Sequence, residues 1–224
     1  YIFDYCISEL TYLMSDESPM PEARAEYPRA DKGSVAGLLA RMYLNSNVYT
    51  GVERWEEAKA ACEAVFDMGY SLCPDYAALF RGDNGTNMQA RGEMLWAIGY
   101  NAEKTQSYGG TSYILSAALA STDITDQSRP NGQRNGWAGL RVPYEYVSKY
   151  YGVSGQDDET GTYQVDDKRG EVFYIKGRSE SMEGALYNFM NGWSCLKFNN
   201  IPHDMTDETY LPVSAVKSFS DVDF

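Results

Sequence analysis

Between Asp31 and Gly69 the apolar residues recur at intervals of three and four, and that spacing fixes the first half of the chain as helical. Val35, Leu38, Leu39, Met42 and Tyr43 form one stripe, and Asp31 stands before it as a helix N-cap. A second stripe runs through Trp55, Ala58, Ala61, Cys62, Val65 and Phe66, and Gly69 is placed to end it in a left-handed cap. Two such stripes joined by a short connection predict a helix hairpin. The small residues Ala58 and Ala61, facing the bulk of Tyr43 and Trp55, are the kind that let helices approach closely, as tetratricopeptide-type pairs do. A third amphipathic segment, Ile2 to Met14, precedes them and stops before Pro19 and Pro21.

After Pro74 the regular stripes end. A short helical turn is expected through Tyr76, Leu79 and Phe80, then a polar loop from Arg81 to Arg91, and Glu93 to Ile98 reads as a short buried strand. Tyr108 to Tyr113 and Asn135 to Trp137 read as loops. Pro143 to Tyr151 predicts a helix with Tyr144, Val147, Tyr150 and Tyr151 on one face. The acidic run from Gln156 to Lys168 predicts a solvated loop, with short strands at Glu171 to Lys176 and Cys195 to Phe198. The expected fold is therefore mainly α, a tetratricopeptide-like helical part over 1–73 followed by a loop-rich part over 74–224 that carries a few short strands. A chain of 224 residues with 43% apolar content suffices for one compact domain. It opens at Tyr1 in mid-pattern, without Met or signal peptide, and stops directly after an acidic pair, so it reads as a piece of something longer.

Several chemistries find no support. A net charge of −13, from 19 basic and 32 acidic residues, opposes nucleic acid, whose binding depends on cationic side chains displacing counterions. Cys6, Cys62, Cys73 and Cys195 lack Cys-x-x-Cys spacing and His203 is the sole histidine, which disfavours zinc; Cys6 and Cys62 read as helix-face residues, with Cys62 and Cys73 at most one bridge. His203 next to Asp204 has no Gly-x-Ser-x-Gly partner, so a Ser-His-Asp hydrolase is not indicated. Gly109-Gly110-Thr111-Ser112 lacks the lysine of a phosphate loop. A glycosidase needs two carboxylates across a cleft, and the acidic residues single out no pair. The chain is expected not to be an enzyme and to require no cofactor.

What stands out is rings with a polar edge: 19 Tyr and 4 Trp against 8 Phe. A sugar offers an apolar face of axial hydrogens to a ring and hydroxyls to polar neighbours. Tyr108, in Tyr-Gly-Gly, and Trp137, in Asn-Gly-Trp, are the candidate glycan-binding residues, each beside glycine that lets the backbone turn sharply. The alternative is that both rings are loop anchors buried against the helices.

A set of short segments in order sharpens this. Arg29-Ala30-Asp31-Lys32, Leu38 to Asn45, Val48-Tyr49-Thr50-Gly51, Trp55-Glu56-Glu57-Ala58, Gly69-Tyr70-Ser71-Leu72, Asp75-Tyr76, Leu79-Phe80, Glu93, Tyr108 to Tyr113, Asn135-Gly136-Trp137 and Ser220 to Phe224 together resemble the SusD/RagB family of outer-membrane nutrient-binding lipoproteins. The likeness is strong over 27–151 and from Gly192 onward, and weak between. Within the family the chain looks most like starch-binding members, whose rings make a curved platform for α-glucan; Tyr108 and Trp137 fall on two of those ring positions. The resemblance implies a surface-exposed protein of the cell outer membrane, held by an N-terminal lipid anchor lying before Tyr1. It also implies an oligosaccharide or polysaccharide ligand delivered to a SusC-like TonB-dependent transporter. It further implies a calcium site of Asp221 and Asp223 with Asp83 or Asn84, because Gly85 stands where an acidic ligand is expected. The same aspartates also suit a helix N-cap.

Overall fold

The computed structural model describes residues 2–99, 110–123, 130–133, 136–155, 162–175, 179–183 and 186–202. The fold is mainly α, and the chain divides into two compact units, one comprising Tyr1–Asp75 with Gly85–Gly99 and the other Tyr76–Asn84 with Tyr100–Phe224.

In the first unit, helix α1 spans Ile2–Met14, α2 Lys32–Leu44, α3 Ser46–Thr50, α4 Trp55–Asp67 and α5 Met88–Glu93. The Asp31 carboxylate accepts from the Ser34 amide at 3.1 Å while the Ser34 hydroxyl reaches back to the Asp31 amide, a reciprocal cap that starts α2. Asp31 is buried and also accepts from the Ala25 amide and the Tyr70 hydroxyl, each at 3.0 Å. Desolvation and this carboxylate both raise the Tyr70 pKa. The ring of Tyr70 lies where a Cβ on Gly33 would come within 2.3 Å, so glycine is required there by close approach. Buried Lys32 is paired with Glu22 at 2.6 Å. Helix α2 packs on both α1 and α4, and Ile7, Val35 and Leu39 form the centre, with Ala61 and Tyr43 against them. Gly69, at φ +83, ends α4 as expected.

Three expectations fail in this unit. The polar loop contains α5, because Asn87 Oδ1 accepts from the Gln89 and Ala90 amides and caps a short helix. Glu93 to Ile98 is not a strand: the Leu95 side chain fills the space beside Gly37, the Leu95 carbonyl accepts from the Ser34 hydroxyl, and Trp96 and Ile98 are 70% and 72% exposed. Trp55, Cys62 and Phe66, placed on the packed face of α4, are exposed, as is Leu38 of the α2 stripe; Ala58 is the buried residue of α4 and Ala61 packs on the core. The four cysteines are free thiols, Cys73 donating to the Asp75 carbonyl.

In the second unit, Tyr76–Phe80 is a 3-10 turn, α6 spans Gly110–Ala118 and α7 spans Tyr144–Tyr151, with strands β1 at Phe173–Tyr174 and β2 at Ser194–Cys195. The strands pair antiparallel, Phe173 opposite Cys195 and Tyr174 opposite Ser194. β1 lies within the range expected for a strand and is shorter, whereas β2 meets the expected Cys195 to Phe198 only at Cys195. Val147, Val153, Phe173, Ile175 and Trp193 form the core. Tyr163 meets Trp193 edge to face at 4.8 Å and donates to the Gly170 and Phe173 carbonyls, and its burial pushes its pKa upward. Gly110 to Tyr113, read as part of a loop, are instead the start of α6. Among the described residues, no helix is long and apolar enough to cross a membrane.

Candidate functional site

Helix α6 ends in carbonyls that need donors, because the last four of any helix have no intrahelical partner. Here the donors come from elsewhere in the second unit. Asn131 Nδ2 donates to the Leu115 carbonyl at 2.9 Å, the Trp137 amide to Ser116 at 2.8 Å, and the Leu140 amide to Ala117 at 3.1 Å. One residue beyond the helix, Leu119 accepts from the Ala138 amide at 2.8 Å. The segment carrying Trp137 is thus laid against the helix end and held there by backbone.

Gly136 makes this approach possible. A Cβ at that position would stand 2.3 Å from the Leu119 carbonyl oxygen and 2.7 Å from the Ala120 carbonyl carbon. The sharp turn expected of Asn-Gly-Trp is replaced by close approach: the left-handed residue is Ala138, at φ +59. Ser121 Oγ donates to the Gly136 carbonyl at 2.7 Å and fixes the same segment from the other side.

The Trp137 ring is 39% exposed, so it is not the buried anchor of the alternative reading. It is joined by Tyr113, on the first turns of α6 and 48% exposed, with ring centroids 6.2 Å apart and planes inclined by 53°. Sequence reasoning missed Tyr113 as a site residue, although it closes the Tyr-Gly-Gly-Thr-Ser-Tyr motif; assigning the motif to a loop hid the fact that α6 carries Tyr113 to Trp137. The two inclined rings present a bent aromatic surface. Tyr108 lies outside the described residues, as do His203, Asp221 and Asp223. Asp83 is half-buried on a turn where the Asn84 amide donates to Arg81 at 3.1 Å and Asn84 Nδ2 to Leu79 at 2.9 Å. Among the described residues no group of three or more His, Cys, Asp or Glu side chains is placed to hold a metal ion, and the expected ligands Asp221 and Asp223 lie outside them.

A pocket of about 240 Å³ in the first unit, beside Arg24, Tyr27, Tyr70, Arg91 and Trp96, is a weaker candidate. Its polar groups are largely spent internally: Arg24 donates to the Gly69 and Gly92 carbonyls and stacks on Tyr70, while Arg91 stacks on Tyr27.

Comparison with known proteins agrees with the direction of the sequence reading. No family model matches the chain. The starch-binding protein SusD of Bacteroides thetaiotaomicron is 33% identical over 151 residues, which cover 67% of this chain and 26% of that protein. This chain is related to SusD. It spans about a quarter of SusD's length, so the likeness concerns one part of that protein.

Proposed function

We propose that this chain is the glycan-contacting part of a cell-surface binding protein for starch or α-glucan oligosaccharides, and that it captures sugar without transforming it. The observation that carries the reading is the exposed, bent pair of Tyr113 and Trp137, fixed by the end of α6, in a chain related to a starch-binding protein. Sugar faces pack on rings, and a chain of sugars that twists from unit to unit suits rings inclined to each other better than one flat plate. Tyr108 is assigned to the same surface. Capture of this kind uses stacking and hydrogen bonds and needs no acid, base or nucleophile.

In the whole protein, the sugar passes to a SusC-like TonB-dependent transporter in the outer membrane, with an N-terminal lipid anchor holding the binding protein at the cell surface. Helices α2 and α4 are assigned to the transporter side. Asp221 and Asp223, with Asp83, are assigned to a calcium ion that stiffens the chain; no step of sugar capture depends on it.

Titration of tryptophan fluorescence with maltoheptaose, against xylan and cellulose oligosaccharides, tests the proposal. Saturable quenching by the α-glucan that is lost in Trp137→Ala, with the melting temperature unchanged, is the expected result. Quenching that survives in Trp137→Ala removes the platform, and no response to any α-glucan moves the ligand to another class.

A further inference from the structure

The loop 186–191 shows a combination that ordinary surface loops lack: large exposed apolar side chains on a tightly fixed backbone. Leu186, Tyr187 and Phe189 all stand in solvent, Tyr187 at 84%. Beneath them a single guanidinium organises the turn. Arg141 Nη1 donates to the Asn188 carbonyl at 2.5 Å and to Asn191 at 3.1 Å, and Nη2 donates to Leu186 at 2.8 Å. The Phe189 ring covers the same guanidinium at 5.2 Å. Asn188 adds its own constraints, its side chain accepting from the Met190 amide at 3.0 Å and donating to Asn191 Oδ1 at 3.2 Å. At the exit Gly192 takes φ +87 and donates to Ser179 at 2.7 Å. A ring held out on a backbone fixed in this way binds with little ordering cost.

The loop is also near the aromatic pair. Arg141 follows Trp137 by four residues, and a fully extended chain limits their Cα atoms to about 14 Å apart. A second route gives the same neighbourhood: Thr122 Oγ1 lies 3.6 Å from Met190 Sδ, and the adjacent Ser121 is the residue that holds the Gly136 carbonyl. The short turn after α6 thus touches both the loop and the segment carrying Trp137.

We propose that loop 186–191 is a second sugar contact of the same site, with Tyr187 as its ring and Arg141 as a positioning residue, serving α-glucan chains too long to be held by Trp137 and Tyr113 alone. This rests on the glycan reading above. The phenol ring supplies an apolar face and its hydroxyl a hydrogen-bond partner, the two things a sugar unit asks for. Lysine cannot replace Arg141, because a point-like ammonium cannot span three carbonyls as the planar fork does.

The experiment titrates the chain with maltotriose and with maltoheptaose, as wild type, Tyr187→Ala, Arg141→Lys and Trp137→Ala. Tyr187→Ala is expected to weaken maltoheptaose about three- to tenfold, the range of one stacked ring, and to leave maltotriose within about twofold. Arg141→Lys is expected to repeat that length-selective loss. Trp137→Ala is expected to lose both ligands. Unchanged maltoheptaose binding in Tyr187→Ala, or equal loss at both lengths, overturns the second contact while the Trp137 platform stands. A wild type that binds neither sugar overturns both readings.

Discussion

The two compact units are stabilised by different means. In the first, one buried carboxylate, Asp31, gathers the Ser34 and Ala25 amides and the Tyr70 hydroxyl around the start of a helix whose apolar stripe makes the core. In the second, little of the described chain is regular, and the carbonyls left over by short elements are taken up one by one: by Asn131 and the Trp137 amide at the end of α6, by Arg141 under loop 186–191, and by Tyr163 beside β1. The lesson is one of sign: in the first unit a carboxylate collects the spare amides at a helix start, whereas in the second an amide side chain, a guanidinium and a phenol supply donors to spare carbonyls. Those choices also decide which rings are left facing water.

The comparison breaks most visibly at Trp193. It is fully buried in the second core, against Tyr163. Trp193→Ala is expected to cost about 3–5 kcal/mol, from lost burial and the cavity left behind. Urea unfolding followed by circular dichroism checks this; a loss below about 1 kcal/mol means the second unit does not depend on that core. A smaller effect sharpens the contrast from the other side. Asp31→Ala removes the cap of α2 and leaves the Tyr70 hydroxyl without its acceptor, and is expected to cost about 2–4 kcal/mol. Asp31→Asn keeps one acceptor oxygen, enough for the Ser34 amide that caps α2, but turns an NH2 toward the Ala25 amide, and is expected to recover only part of the loss. Equal destabilisation by both substitutions shows that one acceptor oxygen is not enough to hold the start of α2.

The smallest effect is electrostatic. The Arg169 side chain, hydrogen-bonded to Asp167 at 2.6 Å, lowers the Asp167 pKa to about 2. A carboxylate whose pKa is depressed by folding stabilises the native state above its unfolded pKa of about 3.9, and that contribution fades as pH falls toward 2. Carbon-13 NMR of the Asp167 carboxyl checks the value, with Arg169→Gln expected to return it toward the ordinary range. An unmoved midpoint in that variant assigns the depression to another cause.

The helices of the first unit were legible from their apolar period: α1, α2 and α4, the Asp31 cap and the Gly69 terminus are where the stripes place them, although Leu38, Trp55, Cys62 and Phe66 of those stripes face solvent. Where the period misleads, the cause is specific. The apolar run through Trp96 and Ile98 suggests burial, yet only Leu95 is docked, beside Gly37, and periodicity carries no record of which neighbour is a glycine. In the second unit α7 and β1 were readable and β2 only at Cys195, but α6 was not, since Gly110 at its first position argues against a helix. Of the site, Trp137 was legible as a ring in a glycine-bearing motif. Tyr113 was not, because its role depends on a helix, and Arg141 was not, because nothing local in sequence announces that one guanidinium will gather carbonyls some 45 to 50 residues away.

The borrowed cap at the end of α6 has a consequence in time as well as in space. The Trp137 and Leu140 amides are covered by carbonyls of the helix's last turn, so each exchanges with solvent only when the segment carrying it lifts away or the turn frays. Hydrogen exchange at Trp137 and Leu140 should therefore proceed at one common rate, that of the segment leaving the helix end, and that rate sets how long the Trp137 ring keeps its place.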